Sequence, residues 1–214
     1  MTILNKNINL IFDMDGTLVN TALVTVPACQ KCAQKLNLPV KDSASISKLI
    51  GYPDMEFYTR LYSEVGYDLL VKYSEEVEHL ENKLMIEMGT KILYDEVHEL
   101  LNILKKDRYY IFLASTGSTS HVNTALNVSG IFSFFRIIKC NHSDKASMVK
   151  EIIKSGPEGN WLIVGDKSSD SKAGKANKIT TVAAKYGFGT EEEYAQFDYK
   201  IESPLQLLEI LAQH

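Results

Sequence analysis

The chain has 214 residues, with 23 Lys and Arg against 27 Asp and Glu, for a formal charge of −4. With 45% hydrophobic and 23% charged residues, it has the composition of a globular protein with a sizeable core, which excludes disorder and collagen-like repetition. The mild acidity leaves no electrostatic footprint for nucleic acid or an anionic membrane, so neither is expected as a partner.

The first residues, Met1 to Asn9, are too short and interrupted for a secretory signal. Nor does any stretch reach the roughly 18 apolar residues of a membrane span. Three cysteines, an odd number, fit a reducing compartment better than a disulfide framework. A cytoplasmic protein is expected.

The apolar run Asn7 to Phe12 predicts a buried strand, and it leads directly into Asp13-Met14-Asp15-Gly16-Thr17. A helix is predicted at Pro27 to Leu36, with Pro27 in its first turn. Cys29 and Cys32 there match C-x-x-C, but no second pair follows, and buried thiols are expected. Ser47 to Pro53 reads as a turn, and Met55 to Tyr62 as a short amphipathic helix. Tyr73, Val77, Leu80, Leu84 and Met88 then step at helical spacing along one stripe. Gly89-Thr90 reads as a hinge.

Beyond it, short apolar runs at Tyr109 to Ala114, Phe134 to Cys140, Trp161 to Val164 and Ile179 to Ala184 predict four more strands. Helical patterns separate them: Val97, Leu100, Leu101, Leu104; Val122, Ala125, Leu126; and Met148, Val149, Ile152, Ile153, with Leu205, Leu208, Leu211 closing the chain. His121, following Ser118, either faces the cleft or lies on a helix surface, the surface being the expectation, and Lys167, Lys172, Lys175 and Lys178 are placed on a solvated helix face. Tyr186 to Thr190 lacks the spacing of a dinucleotide fingerprint and reads as a loop beside the site.

Strand and helix alternation predicts an α/β fold, a Rossmann-like parallel sheet core with an inserted helical cap. Residues 1–18 and 90–214 are assigned to the core and 19–89 to the cap, because the interval between the first two strands is too long for one crossover and shows only helical periods.

The chemistry-bearing residues fall at strand ends. Asp13 and Asp15 follow the first strand, where open α/β sheets bind ligands. Read alone, Asp-x-Asp-Gly also describes a turn or a calcium-loop fragment, although no glutamate follows at an EF-hand's closing position. The second strand ends in Ser115-Thr116-Gly117-Ser118, hydroxyls and amides suited either to a phosphate or to capping a helix. Lys145 follows the third strand, and Gly165-Asp166 with Asp170 the fourth. Together, in one chain order, these are the groups that metal-assisted phosphoryl transfer needs.

On those four motifs, Asp13 to Thr17, Ser115, Lys145, and Gly165-Asp166 with Asp170, the sequence resembles the haloacid dehalogenase-like hydrolase superfamily, and the helical insertion resembles its cap. One departure is Ala146, where many relatives carry proline after the lysine. The resemblance implies a Mg²⁺-dependent phosphatase acting on a small phosphorylated metabolite, with Asp13 as nucleophile, Asp15 as acid/base and Lys145 bridging Asp13 and the phosphate. It implies a metal held by Asp13, the Asp15 carbonyl and Asp166, with Asp170 holding metal-bound water. Ser115, Thr116 and Thr17 are implied at the phosphate, the Asp-Gly-Thr form leaning toward phosphatases. Lys48, Gly51 and Tyr52 resemble the family's substrate-specificity loop, with Lys48 either reading an anionic substrate or simply solvated. A sugar phosphomutase, and a non-catalytic binding protein of the same fold, are the alternatives. The oligomeric state is not legible.

Overall fold

The computed structural model describes residues 8–213; the start of the first predicted strand at Asn7, the remaining residues of the N-terminal reading and His214 lie outside them. Six strands, β1 (Ile8–Phe12), β2 (Tyr110–Ala114), β3 (Ile138–Lys139), β4 (Asn160–Gly165), β5 (Thr180–Ala184) and β6 (Tyr199–Ile201), form one parallel sheet in the order β3-β2-β1-β4-β5-β6. Ten helices accompany them among the described residues. The first four of the five between β1 and β2 are α1 (Ala22–Lys35), α2 (Ser43–Ser47), α3 (Asp54–Leu61) and α4 (Tyr67–Met88). The others are α5 (Val97–Lys106), α6 (Thr119–Val128), α7 (Lys145–Ser155), α8 (Ser168–Ala176), α9 (Glu191–Tyr194) and α10 (Leu207–Leu211).

Every residue of β1 is buried, the mark of a central strand covered on both faces. Its side chains alternate: Leu10 and Phe12 join the layer of α5, α6 and α10, and Ile11 joins Phe112, Ile163 and the α7 residues Val149 and Ile152 on the other face. The register pairs Phe12 with Leu113 on one side and Val164 on the other. The residues after β1, β2 and β4 therefore emerge together at one edge of the sheet.

Helices α1 to α4 pack around an apolar cluster of their own, in which Cys29, Cys32, Phe57, Tyr58, Tyr62, Tyr73 and Val77 are buried. The Tyr73 hydroxyl donates to the Cys29 carbonyl at 2.9 Å, and both thiols are packed as expected. No helix of the described residues is long and apolar enough to cross a membrane.

Several boundaries differ from expectation. Pro27 is the sixth residue of α1, so it interrupts the helix's own hydrogen bonds instead of sitting in the first turn. The predicted strand Phe134 to Cys140 contracts to Ile138–Lys139, while Phe132–Phe134 form a 3-10 turn. β3 lies at the sheet's edge, and Phe134 and Phe135 use their apolar surface to cover the core beside it. β6, at three residues, is too short to show a period. The C-terminal pattern divides into a 3-10 turn at Pro204–Gln206 and α10, which buries Leu207, Ile210 and Leu211.

Candidate active site

At the shared edge of the sheet, Asp13, Asp166 and Asp170 place one carboxylate oxygen each within 4.8 Å of the others, all buried. Between Asp13 and Asp170 lies the Lys145 ammonium, 2.8 Å from Asp13 Oδ1 and 2.7 Å from Asp170 Oδ1. Lys145 opens α7 and is only 5% exposed. Asp170 also accepts the Lys167 backbone N–H through Oδ2, at 3.1 Å, so both its oxygens are engaged. Asp166 accepts the Phe188 N–H at 2.7 Å through Oδ2, while its buried Oδ1 has no hydrogen-bond partner among the described residues.

Three carboxylates around one ammonium leave an excess of negative charge in a dry site. Burial drives the Asp13 carboxyl up, and the Asp170 and Asp15 charges add to it; Lys145 pulls the other way, and the result is about 7. Burial and the charges of Asp13 and Asp170 hold Asp166 well above the ordinary carboxylate value. Burial alone would lower Lys145, but Asp13 and Asp170 overcome it and keep it protonated.

Gly16 provides the tightness. Its φ is +82°, and a Cβ there would stand 2.2 Å from Asp166 Oδ2. Only glycine turns the chain here without displacing that carboxylate.

Asp15 points away from this group, toward the helices. Its Oδ1 accepts from the Thr21 hydroxyl at 2.5 Å and lies 2.9 Å from His121 Nε2. Thr21 is the residue before α1, yet its side chain makes no cap, because the hydroxyl is committed to Asp15. The other His121 nitrogen is 3.8 Å from Glu81 Oε2, and Glu81 accepts from the Thr25 hydroxyl through Oε1. Burial opposes charge on both Asp15 and His121, but their mutual attraction prevails. Asp15 falls below the ordinary carboxylate value, helped by the Thr21 hydroxyl, and His121 rises to about 9, helped by Glu81 and Glu78.

His121 thus faces the cleft with its side chain 12% exposed, and does not lie on the helix surface expected for it. Ser118 caps α6 by accepting the His121 N–H at 3.1 Å, which aims the first turn at the end of β1. Glu81 had a readable signal: it continues the Tyr73, Val77, Met85 spacing of four as an acid inside an apolar stripe. Lys167 likewise departs from its expected solvated face. It is buried, and its ammonium donates to the carbonyls of Phe188 at 2.7 Å and Lys48 at 3.1 Å, strapping the α2 end to the loop after β5. The Tyr186 to Thr190 loop does lie beside the site.

The expected phosphate ligands divide. Ser115 is fully buried, its Oγ accepting the Gly117 N–H at 3.1 Å. Thr17 is fully buried too, its hydroxyl unpaired among the described residues. Thr116 reaches the Gly51 carbonyl at 3.3 Å and, with Gly117, Ser118, Asp15 and His121, lines a cavity of about 380 Å³. Gly51 and Tyr52 line it as well; Lys48 does not. Lys48 lies on a second depression with Arg60, Lys167 and Glu193.

A model of the haloacid dehalogenase-like hydrolases matches residues 10–184. The chain belongs to the haloacid dehalogenase-like hydrolase family. Relatives within that family include pyrophosphatase PpaX of Listeria innocua, 27% identical over 223 residues that cover 96% of this chain and 97% of that one. A phosphoglycolate phosphatase of Colwellia psychrerythraea is 25% identical over 206 residues, covering 88% of each. In fold, a haloacid dehalogenase-like family hydrolase from Streptococcus pneumoniae superposes with a TM-score of 0.81 at 22% identity, covering 98% of this chain and 99% of that one.

Proposed function

We propose that this haloacid dehalogenase-like hydrolase is a phosphatase that hydrolyses a small phosphomonoester, with Asp13 as the nucleophile and Asp15 as the acid/base. The observation that carries it is the pairing of two aspartates, two residues apart at one strand end, that serve different neighbours: Asp13 faces Lys145, and Asp15 faces His121. The phosphatase names of its relatives support the same reading.

Attack by Asp13 on phosphorus gives an aspartyl-phosphate. Lys145, fixed against Asp13, offsets the repulsion between an attacking anion and a phosphate dianion. The Asp15–His121 pair holds the proton that the leaving oxygen needs. At rest that proton sits on Nε2, because the Asp15 carboxyl is depressed and the imidazole raised. In the second half-reaction the Asp15 carboxylate accepts a proton from the attacking water. The backbone after β2, with Thr116, would receive the phosphoryl oxygens.

The donor set fits Mg²⁺: hard oxygen ligands, an unpartnered buried Asp166 Oδ1 and surplus negative charge. Asp13, Asp166 and the Asp15 carbonyl would hold the ion, with Asp170 steadying Lys145 and the nearby water. When bound, it supplies Lewis acidity and charge neutralisation at the phosphoryl group. Residues 19–89 act as the cap and the rest as the core. Net acidity and unpaired thiols support a cytoplasmic setting.

The test is release of inorganic phosphate from p-nitrophenyl phosphate and a panel of metabolite esters. Release is expected with Mg²⁺ and is abolished by a chelator. Folded protein that releases none from any ester would sink the phosphatase, and transfer within a sugar phosphate without release would reassign it as a mutase. His121→Gln should lower kcat by about 10²-fold, with KM little altered, since it removes the proton store and not a substrate contact. A KM effect with unchanged kcat would place His121 in binding.

A further inference from the structure

The 380 Å³ cavity begins at Asp15 and runs under α3 and α4. If Asp15 serves the leaving oxygen, whatever that oxygen is attached to extends into this space, so the lining describes the alcohol half of the substrate.

The lining is of one sign. Glu75, Glu78 and Glu81 come from α4 at spacings of three, which places them on one helix face, and Asp15 adds a fourth carboxylate. Among the described residues no lysine or arginine lines the cavity. Its one basic group, His121, already shares its charge between Asp15 and Glu81. Glu78 accepts the Ser118 hydroxyl at 2.7 Å through Oε1. Glu75 is solvent-exposed at the wall.

An independent feature agrees. Phe57, Tyr58, Tyr67 and Tyr52 line the same cavity. Arg60 stacks over the Tyr52 ring at 4.1 Å from its own position on the second depression, so that ring already receives a cation. Aromatic faces beside carboxylates are the surroundings that an ammonium group finds favourable on both counts. An anionic leaving group, such as the glycolate of phosphoglycolate, would meet the repulsion of α4 with no lysine or arginine on the lining to offset it.

We propose, building on the phosphatase reading, that the substrate is a phosphomonoester whose alcohol portion carries an ammonium group, held between Glu75 and Glu78 and the rings of Phe57, Tyr58 and Tyr67. The phosphate lies at the strand ends near Lys145, and the ammonium lies toward α4. This reverses the sign that Lys48 suggested in the sequence.

The test uses matched esters at neutral pH with Mg²⁺: glucosamine 6-phosphate against glucose 6-phosphate, and phosphoethanolamine and phosphocholine against phosphoglycolate. The ammonium member of each set should be favoured in kcat/KM by about tenfold or more. Raising the salt should shrink the preference. In Glu75→Gln/Glu78→Gln the ratio should fall toward one. Glu75→Lys, a change at an exposed position, should tilt the preference toward phosphoglycolate. Equal or better turnover of the neutral and anionic esters by the unaltered protein would overturn the substrate assignment and leave the phosphatase standing; so would a ratio that both variants leave unchanged. No release from any ester, p-nitrophenyl phosphate included, would overturn the phosphatase and this assignment with it.

Discussion

Asp13→Asn should abolish phosphate release, lowering kcat by about four orders of magnitude or more, because the neutral amide cannot form the covalent intermediate. The same substitution should not harm the fold. Asp13 is one of three clustered buried carboxylates and shares the Lys145 ammonium with Asp170, and burial raises its carboxyl. Its carboxyl lies near 7 in the folded protein against an ordinary 3.8, so between those values the folded state holds a proton that the unfolded chain has released. The stability this confers is fully present below 3.8 and is lost as pH rises through about 7. Metal-free protein should therefore melt at progressively lower temperature from pH 4 to 7. Asp13→Asn should flatten that slope without removing it, since Asp166 is shifted in the same direction. Mg²⁺, binding only the folded form, should restore the melting temperature of the unaltered protein at pH 7. Residual turnover within tenfold of the parent would rule out Asp13 as nucleophile. A melting temperature that rises over the same pH range would contradict the charge surplus.

Lys145→Met should have the opposite effect on the fold. It removes the cation held by Asp13 and Asp170 and leaves three acidic groups together in a dry site. Breaking a buried ion pair from one side costs about 3–5 kcal/mol, and here the orphaned partners also repel each other. In urea denaturation of metal-free protein, the midpoint should drop sharply at neutral pH and recover toward acidic pH as the carboxyls take up protons. Activity should fall at least about 10²-fold from the lost charge at the nucleophile. An unchanged midpoint at neutral pH would mean that solvent or a relaxed side chain already neutralises the site.

The legible parts of this molecule were those in which neighbours in sequence are neighbours in space. Asp13 and Asp15 could be placed because an uninterrupted apolar run ends at Phe12, and a buried parallel strand delivers its next residues to the binding edge. Val97, Leu100, Leu101 and Leu104 all proved buried, as their spacing required. What escaped depends on contacts between distant segments. His121 and Asp15 are 106 residues apart, and nothing near His121 in sequence announces a carboxylate. Lys167 followed an aspartate and began a lysine-rich helix, which made solvation the economical reading; its actual acceptors, the carbonyls of Lys48 and Phe188, belong to segments on either side of it in the chain. Ser115 and Thr17 carry the expected hydroxyls, and their full burial is likewise a product of tertiary packing that no local spacing announces. Lys48 is read from its charge and from a loop that resembles the family's specificity loop, yet it lies on a different depression from the cavity that Gly51 and Tyr52 line.

The helical segment's separate apolar cluster has a practical consequence for anyone wishing to redirect this protein. The bond-breaking residues belong to strand ends locked by the register of β1, whereas Met55, Phe57, Val71 and Ser74, which shape the far side of the cavity, belong to α3 and α4. A library randomised at those positions would sample new molecular selectivities while leaving the reactive groups undisturbed. The same library placed in β1 or at Gly16 would yield mostly inert or unfolded clones.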